Sequence, residues 1–525
     1  MRDFSRPGRS TVFATNGMCA TSHPLASKVA IQMLEAGGNA VDAAIAGAVL
    51  LGICEPQMTG IGGDCFVLMT PPGGDEVIAL NGSGRAPAGL DAAALRAAGH
   101  TKISADNPHS VTMPGAVDAF CRLAKDHGKL GLKAALAPAV YYAEAGVPVA
   151  PRVADDWARD ASILQGRAKD LFLLNGAVPR PGDVFRAPKQ AEVLRLIATE
   201  GRDGFYDGPV ADDMVKTLQA FGGTHQLQDF ADVACEYTTP VHGSYGDLEI
   251  YEHPPNGQGA TALLLLNILK HFDLSSLDPF GPERAHLETE ATKLAYAWRN
   301  AAVADPDHVS RLDEMLSDET AAACAAQIQM DAVLPVNPPV AENTHKDTIT
   351  ITVVDKDRMC VSLIYSIFNG FGSGIATDQF GILLHNRGSG FTLTEGHANE
   401  AGPGKRPMHT IIPGLAMKNG KPFMPFGVMG GQYQATGHAR LITNMVDYGL
   451  DPQSAIDAPR CFIENGELRV ETAYPPDVRH ALSELGHDVV DPPTPIGGAQ
   501  AIVVHSNGVL EGASDPRKDG IALGY

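Results

Sequence analysis

The sequence predicts a mixed α/β fold, with helices dominating the first two thirds of the chain and strands dominating the last third. Residues 24–54 and about 115–330 carry mainly helical patterns. The run AVDAAIAGAVLLGI is apolar on most faces, which is typical of a helix buried inside the body. From residue 348 the pattern TITITVV alternates with a period of two, as a strand does.

Two helices are predicted near the N-terminus. The pair Gly37-Gly38 interrupts residues 24–54, so one helix ends before this pair and another begins after it. The side chain of Asn39 can cap the second helix, and Asp42, three positions later, complements the same N-terminal amides. The second helix should therefore begin directly after Asn39.

Strands are predicted on both sides of the helical region. Residues 62–81 have the pattern of strands around a PPGG turn. Residues 331–347 are rich in Pro and Asn without periodicity, so we expect an exposed linker there. The strand that starts at Thr348 is followed by the turn Asp355-Lys-Asp-Arg and by a returning strand from Met359 to Ile367. A β-hairpin is therefore expected directly after the linker.

Length and charge limit the functions that the chain can have. Its 525 residues suit three to four domains or one large α/β body. It has 40 Lys and Arg against 61 Asp and Glu, and the resulting net charge of −21 disfavours binding to nucleic acid or to anionic membranes. It contains no run of about 18 apolar residues and no apolar core of a secretory signal. We therefore expect a cytoplasmic protein without a membrane partner.

Metal ions, cofactors and disulfides are not expected. The eight cysteines include no CxxC pair, and the 18 histidines include no HExxH motif. The run Gly60-Ile-Gly-Gly-Asp lacks the lysine of a phosphate-binding loop, and no clear helix with a suitably placed acidic residue follows it. The sequence therefore predicts chemistry carried out by side chains and backbone alone.

The boundary between the linker and the hairpin carries the candidate chemistry. If the bond between Asp347 and Thr348 is cut, Thr348 gains a free α-amino group beside its own hydroxyl. Such an amine has an ordinary pKa of about 8 and can act as the base for that hydroxyl. The same pattern also fits an ordinary strand with threonines on a solvated face, because Thr is favoured in strands.

Motifs along nearly the whole chain favour the catalytic interpretation. In chain order they include ASKVAIQMLEAGGNAVDAAIAGAVLLGICEP, TGIGGDCFVLM, VTMPGAVDAF, DGFYDGPVADDMV, PPNGQG, HLETEATKLAYAWRNAAVADPD, TVVDKDRMCVSLIYS, FGSGIATDQFGILLHN, GPGKRPMHTIIP, FGVMGGQYQ and ASDPRKDGIALGY. This ordered set resembles the γ-glutamyltranspeptidase family of N-terminal-nucleophile hydrolases. The resemblance implies a four-layer αββα fold. It also implies a precursor that is cut into a large subunit, residues 1–347, and a small subunit, residues 348–525, which form one intertwined body and allow a homodimer of such units.

Matched position by position, the resemblance implies the catalytic residues. Thr348 is the nucleophile and, with Asp347, forms the cleavage site. Ser366 falls where the family has a hydroxyl that is hydrogen-bonded to the nucleophile. Gly430 and Gly431 match the glycine pair whose amides form the oxyanion hole, where such donors contribute roughly 3–4 kcal/mol to acyl transfer. Without the family context, the glycine pair is typical of a plain turn.

The predicted substrate pocket departs from the family pattern. The family's carboxylate-binding Arg falls on Ser83, and an arginine appears two residues later as Arg85. The positions that hold the α-amino group of a γ-glutamyl substrate are here Phe368, Arg387, Gly390, His409 and Thr410. A site built of acceptors has thus become a site with two potential cations and no carboxylate. Because Arg binds carboxylates in a bidentate manner, we expect a small anionic substrate without an α-amino group.

The sequence therefore predicts an amidohydrolase that hydrolyses an oxamate-like small-molecule amide through an acyl-enzyme, without a cofactor. The pocket and the PPNGQG segment resemble the branch of the family that includes oxamate amidohydrolase and glutathione-hydrolase-like proteins. Two alternatives stay open: a glutathione hydrolase or γ-glutamyltransferase, and an unprocessed, non-catalytic binding protein. Arg85, Arg387 and His409 could also be surface or interchain-pairing residues.

Overall fold

Two seven-stranded sheets lie at the centre of the molecule in a computed structural model that describes residues 8–335 and 348–525. The strands are β1 Val12–Ala14, β2 Met18–Thr21, β3 Asp64–Thr70, β4 Ile78–Gly82, β5 Val147–Pro148, β6 Val184–Phe185, β7 Glu236–Thr238, β8 Val241–Tyr245, β9 Leu248–Glu252, β10 Ile349–Val354, β11 Cys360–Ser366, β12 Pro413–Lys418, β13 Lys421–Met429, β14 Cys461–Glu464, β15 Glu467–Val470, β16 Asp488–Val490, β17 Gly498–Val504, β18 Leu510–Ser514 and β19 Ile521–Gly524. Sheet I has the order β19-β2-β10-β11-β3-β4-β7, and sheet II has the order β1-β18-β17-β13-β12-β9-β8.

Helices cover the outer face of each sheet. They are α1 Pro24–Glu35, α2 Ala40–Cys54, α3 Ala92–Ala97, α4 Ala116–Asp126, α5 Leu132–Ala145, α6 Pro151–Asp160, α7 Arg167–Phe172, α8 Pro188–Glu200, α9 Asp203–Tyr206, α10 Gly208–Ala220, α11 Leu227–Ala231, α12 Gly259–Leu269, α13 Pro282–Ala302, α14 Leu312–Met315, α15 Asp318–Ala325, α16 Gln434–Val446, α17 Pro452–Asp457 and α18 Pro476–Glu484. In the part of the chain that the structure describes, no helix is both long and apolar enough to cross a membrane.

Three hydrophobic cores separate four layers. The core between the sheets takes residues from strands of both, including Ala20, Leu68, Leu415 and Ile502. A second core joins the outer face of sheet I to α1, α2 and α4–α10, and a third joins the outer face of sheet II to α12, α13 and α15–α18. The central strands β3, β10 and β11 of sheet I are thus buried on both faces. The predicted αββα fold is confirmed.

The predicted hairpin after the linker is present as β10 and β11, which pair antiparallel. The side chains of Ile349, Ile351 and Val353 belong to the core beneath the helices. The hydroxyl of Thr350 points to the other sheet, where a Cβ built on Gly427 would collide with it. The alternative that these threonines lie on a solvated face is wrong, because they are fully buried between the sheets.

The predicted cap of the second helix is also confirmed. Asn39 Oδ1 accepts the N–H of Asp42 at 3.1 Å, and Asp42 Oδ2 accepts the N–H of Asn39 at 3.0 Å. This reciprocal pair is a capping box, and it fixes the start of α2 at Ala40. Every residue of α2 is buried, which agrees with its apolar sequence.

The mainly helical region also contains strands that the helical pattern concealed. Strands β8 and β9 form one edge of sheet II, and their residues alternate between more and less exposed positions. The segments are only five residues long, so longer helical patterns on both sides dominate any window that contains them. Strands from before and after the linker share each sheet, and β10 and β11 lie between β2 and β3.

Candidate active site

One cross-strand row at the end of sheet I brings the two predicted hydroxyls together. The register of β10 and β11 puts Thr348 opposite Ser366, and Thr348 Oγ1 lies 3.3 Å from Ser366 Oγ. Ser366 is also opposite Asp64 of β3, and its Oγ accepts the N–H of Phe368 at 2.9 Å. The three side chains of this row are fully buried. Asp347, the other residue of the predicted cleavage site, lies outside the described residues.

Strand β13 of sheet II runs toward the end of sheet I at which Thr348 lies. The Ser362 hydroxyl of β11 donates to the carbonyl of Phe426 at 2.6 Å, and the next residue, Gly427, faces Thr350 of β10. Ser362 is paired with Thr352 of β10, and Thr350 is two residues closer to the start of that strand. The step from Phe426 to Gly427 along β13 therefore leads toward Thr348, and each further residue adds about 3.3 Å in the same direction. The glycine pair that follows β13 therefore lies at the same end as Thr348.

Gly430 and Gly431 form a turn that no other residue type adopts easily. Their φ angles are +121° and +54°, and a Cβ on Gly430 would lie 2.9 Å from Gly497 Cα. The Gly430 carbonyl accepts the N–H of Tyr433 at 3.0 Å, and both glycines are buried. The turn lies at the same end of the sheets as Thr348, while the oxyanion role of its amides stays a prediction.

Arg387 is fully buried, and part of its guanidinium has no protein partner. Its Nη1 donates to Thr410 Oγ1 at 3.0 Å, and its Cζ lies 3.8 Å from the centre of the Phe368 ring. Within residues 8–335 and 348–525, Nε and Nη2 have no hydrogen-bond acceptor. Burial lowers the pKa of Arg387 to about 9 and Asp64 opposes this shift, so the side chain stays charged at neutral pH. Two neighbouring donor nitrogens, Nε and Nη2, on a buried cation suit a carboxylate ligand.

The expectation of a pocket without a carboxylate is wrong, because Asp64 lies in it. Asp64 Oδ2 lies 3.2 Å from His409 Nε2 and 3.5 Å from His385 Nδ1. Asp64 Oδ1 accepts the N–H groups of Gly84 and Gly115 at 3.0 and 3.2 Å. This carboxylate is therefore occupied by donors of the protein itself.

His409 is neutral and donates to Asp64. Its Nδ1 accepts the N–H of Ile411 at 3.3 Å, so its proton is on Nε2. Burial and then the charge of Arg387 lower the pKa of His409 to about 3. Burial raises the pKa of Asp64, but His385, His409 and Arg387 outweigh this and hold it below its usual value. The neutral imidazole of His409 thus connects the carboxylate of Asp64 to the segment that carries Thr410.

Ser83 and Arg85 have other partners. Ser83 is buried, and its Oγ donates to Asn81 Oδ1 at 2.7 Å. The Arg85 side chain is 38% exposed, and its guanidinium lies 3.3 Å from Asp305 and 3.4 Å from Glu236. Arg85 is thus paired with the buried carboxylate of Asp305 and with the more exposed one of Glu236, and its contact with substrate stays a prediction.

Three polar residues of this region were not predicted. Asp64, His385 and Gln258 lie in the quoted segments TGIGGDCFVLM, FGSGIATDQFGILLHN and PPNGQG, and all three are fully buried. Their partners are far away in sequence, so only the fold reveals their roles. A buried polar residue inside a strongly apolar segment is the signal that could have found Asp64.

One group of side chains could hold a metal ion. His286, Glu290 and His487 offer ligand atoms within 4.8 Å of one another in the described residues. His286 and Glu290 are four positions apart on α13, a spacing that the search for HExxH did not cover. Hydrogen bonds already occupy the group, because His487 Nε2 lies 2.8 Å from His286 Nδ1 and Lys293 Nζ lies 2.7 Å from Glu290. The ammonium of Lys293 opposes a second cation at this place.

Comparison with known proteins establishes the family. A family model described as gamma-glutamyltranspeptidase matches residues 26–525. The chain belongs to the γ-glutamyltranspeptidase family. It is 36% identical to the glutathione hydrolase-like YwrD proenzyme of Bacillus subtilis (strain 168), over 98% of this chain and 99% of that protein. It is 34% identical to the oxamate amidohydrolase proenzyme of Klebsiella pneumoniae, over 98% of this chain and 100% of that protein.

A solved structure supports the same assignment. The crystal structure of cephalosporin acylase from Bacillus halodurans matches with a TM-score of 0.93 and 38% sequence identity, covering 100% of this chain and 99% of that one. The resemblance inferred from the motifs and the fold that it implied are therefore confirmed. The roles of individual residues rest on the geometry described above and stay predictions.

Proposed function

We propose that this chain is an autoprocessing amidohydrolase with Thr348 as its N-terminal nucleophile, acting on a small, carboxylate-bearing, oxamate-like amide. The names of its relatives denote an amidohydrolase, a glutathione hydrolase-like protein and an acylase, all of which describe hydrolysis of amide bonds. At that level the chain is an amide-bond hydrolase of its family. Two of these names include the word proenzyme, which supports a precursor that is processed into subunits.

The pairing of Thr348 with Ser366 supports the nucleophile. The 3.3 Å contact between the two hydroxyls lies at the start of β10, directly after the linker that contains the predicted cut. A cut before Thr348 would place the new α-amine on the same residue as the hydroxyl, so covalent structure would hold base and nucleophile together. The contact with Ser366 would orient the hydroxyl oxygen for attack.

In the proposed reaction, the α-amine of Thr348 takes the hydroxyl proton as Oγ1 bonds to the substrate carbonyl carbon. The N–H groups of Gly430 and Gly431 stabilise the oxyanion. The C–N bond then breaks, the leaving amine takes the proton, and an ester on Thr348 remains. Water hydrolyses this ester and releases the carboxylic acid.

Arg387 is the single observation that carries the substrate class. A fully buried guanidinium whose Nε and Nη2 lack an acceptor among the described residues favours an anionic ligand. The proposal assigns the substrate carboxylate to Arg387 because the guanidinium of Arg85 is engaged with Asp305 and Glu236. Monoamides of short dicarboxylic acids, from oxamate upward, have this carboxylate and a hydrolysable amide.

Hydrolysis or transfer of γ-glutamyl groups is the second candidate, and Asp64 is the observation that favours it. A carboxylate in the pocket could accept hydrogen bonds from an α-ammonium group. Asp64, however, already accepts two backbone N–H groups and faces His409 and His385. We therefore favour substrates without the α-amino group. The cytoplasmic location and the homodimer stay predictions.

Intact mass of the freshly purified protein tests the nucleophile. We expect two chains that break before Thr348 in the wild type and a single unbroken chain in Thr348→Ala. Thr350→Ala is the matched control, because Thr350 is a buried threonine on the same face of β10. A single chain in the wild type under all conditions would remove the base and favour the binding-protein alternative.

Release of ammonia from four primary amides, and of p-nitroaniline from γ-glutamyl p-nitroanilide, tests the substrate class. Glutaramate and L-glutamine differ only by the α-ammonium group, and oxamate and succinamate complete the series of chain lengths. We expect turnover of at least one monoamide and little turnover of glutamine or γ-glutamyl p-nitroanilide. Faster turnover of glutamine than of glutaramate would support the γ-glutamyl alternative.

A further inference from the structure

We propose that Gln258 and Arg299 are positioning residues that hold the Gly430-Gly431 turn and the His409-Thr410 segment in one arrangement. Neither residue has a role in the reaction proposed above. Both lie in segments that the sequence analysis quoted without assigning a function, PPNGQG and HLETEATKLAYAWRNAAVADPD. The inference rests on the proposed function, because it gives this turn the role of oxyanion hole.

Gln258 connects the two segments directly. It lies just before α12 and is fully buried. Its side-chain Nε2 donates to the carbonyl of Thr410 at 2.7 Å and to that of Gly431 at 3.1 Å. Its backbone N–H donates to the carbonyl of His409 at 3.0 Å. The side-chain amide of Gln258 therefore sets the distance between the Gly430-Gly431 turn and the His409-Thr410 segment.

Arg299 of α13 fixes the orientation of the Gln258 side chain. Arg299 Nη1 donates to Gln258 Oε1 at 3.0 Å, so the other end of that amide, Nε2, must face the two carbonyls. The same Nη1 bonds the side chain of Gln432, the residue that follows the glycine pair. Tyr296, one turn earlier on α13, bonds the Gln432 carbonyl. Gln432 thus connects the turn to α13 through both its side chain and its backbone carbonyl.

The backbone of the glycine pair must be fixed by neighbouring residues. Glycine has the greatest backbone freedom of any residue, so fixing it costs more conformational entropy than fixing another residue. An oxyanion hole stabilises the transition state only when its N–H groups already point at the developing charge. The peptide plane that carries the Gly431 N–H is held by the Gly430 carbonyl, which accepts the N–H of Tyr433 at 3.0 Å. The bonds from Gln258, Arg299 and Tyr296 fix the Gly431 carbonyl and Gln432, which directly follow this plane. The two N–H groups of Nη1 lie in the fixed plane of the guanidinium and so hold both amide oxygens in set directions, whereas the donors of an ammonium rotate about its stem.

The test uses acylation of Thr348 by p-nitrophenyl acetate, followed as a burst of p-nitrophenolate. This ester has no carboxylate, so the result is independent of Arg387 and of the substrate class. Gln258→Met and Arg299→Met remove the network, and Arg299→Lys keeps the charge but loses the fork. Each rate is divided by the fraction of two-chain molecules, measured by intact mass.

Matched control variants separate an effect on the position of the turn from a general loss of protein stability. Arg284→Met removes another buried arginine of α13, which bonds Glu288 and Thr443 instead of the turn. Gln190→Met removes another buried glutamine that donates to a backbone carbonyl, that of Gly381. We expect both controls to lower the melting temperature and to leave the acylation rate of cleaved molecules close to that of the wild type.

The expected result is a fall in the acylation rate constant of about 10- to 100-fold in the two network variants, with the half-saturating ester concentration unchanged. Arg299→Lys should fall between them and the wild type. If the two Met variants do not fold and no two-chain molecules form, the acylation rate of Arg299→Lys decides between the outcomes. Equal rates in network and control variants would overturn the inference while leaving Thr348 as nucleophile. A wild type that shows no more burst than Thr348→Ala would overturn both.

Discussion

Arg387 and Phe368 form a stacked pair in which the guanidinium carbon lies 3.8 Å from the ring centre. The backbone of Phe368 has a φ of +77°, which is uncommon for a residue with a side chain, and its N–H bonds Ser366 Oγ. Phe368 therefore contacts both the Ser366 hydroxyl beside Thr348 and the buried cation of Arg387. Because the ring closes one face of the guanidinium, a carboxylate must approach Arg387 at its Nε and Nη2 edge.

Arg387→Met should raise the KM for a monoamide substrate about 100-fold, because losing a buried charge-assisted contact costs about 3 kcal/mol. Steady-state kinetics on the best substrate of the chain-length series would measure it. Arg85→Met is the control and should change KM by less than about threefold, since the Arg85 guanidinium is paired with Asp305 and Glu236. A larger loss with Arg85→Met than with Arg387→Met would move the carboxylate site to Arg85.

Phe368→Asn should shift the preference toward substrates with an α-ammonium group. Asn tolerates the left-handed backbone of this position and adds an acceptor where the ring now lies. We expect the ratio of kcat/KM for glutamine to that for glutaramate to rise by about tenfold, a change of about 1.4 kcal/mol. Phe371→Asn is the control, because Phe371 also has a positive φ and packs on Trp157. An equal shift in the control would refute a local role for Phe368.

Ser366→Ala should lower kcat by about fivefold, since one hydrogen bond to the proposed nucleophile contributes about 1 kcal/mol. The measurement is kcat on the two-chain form, together with the melting temperature. Ser362→Ala removes another buried hydroxyl of the same strand, which donates to Phe426 instead. It should lose stability without a comparable loss of kcat. If both variants lose kcat equally, the contact of Ser366 with Thr348 has no special role.

The folded protein should lose stability as the pH falls from about 6.5 to about 4. Burial lowers the pKa of His225 to about 4, while in the unfolded chain it keeps its usual value of about 6.5. The unfolded state therefore binds the proton first, and stability present above pH 6.5 is lost at up to about 1.4 kcal/mol per pH unit.

The variant His225→Gln tests this directly. Its amide can still donate to the Val111 carbonyl, which His225 Nε2 contacts at 2.8 Å, but it does not titrate. Urea unfolding at pH 7.5, 6.0 and 5.0 should show a weaker pH dependence than in the wild type. The exposed His100→Gln should not change the dependence, and a flat wild-type profile would contradict the argument.

Local features of the fold were predictable, and contacts across the fold were not. The cap at Asn39 and the hairpin after Thr348 depend on residues a few positions apart, so their patterns are visible in the sequence. The pair of Asp64 and His409 is 345 positions apart, and composition gives no sign of it. The two donor nitrogens of Arg387 that lack acceptors are a property of its burial. For the same reason, the sequence did not distinguish the buried Arg387 from the surface Arg85.

The position of β10 and β11 between β2 and β3 has a consequence for the life of the protein after maturation. A cut before Thr348 would leave two chains whose strands alternate within one sheet, so neither could leave without breaking the hydrogen bonds of the other. Before the cut, refolding is unimolecular; after it, the same fold must be rebuilt by a meeting of two molecules. Maturation would therefore be a one-way step, and recovery from denaturation would become dependent on concentration.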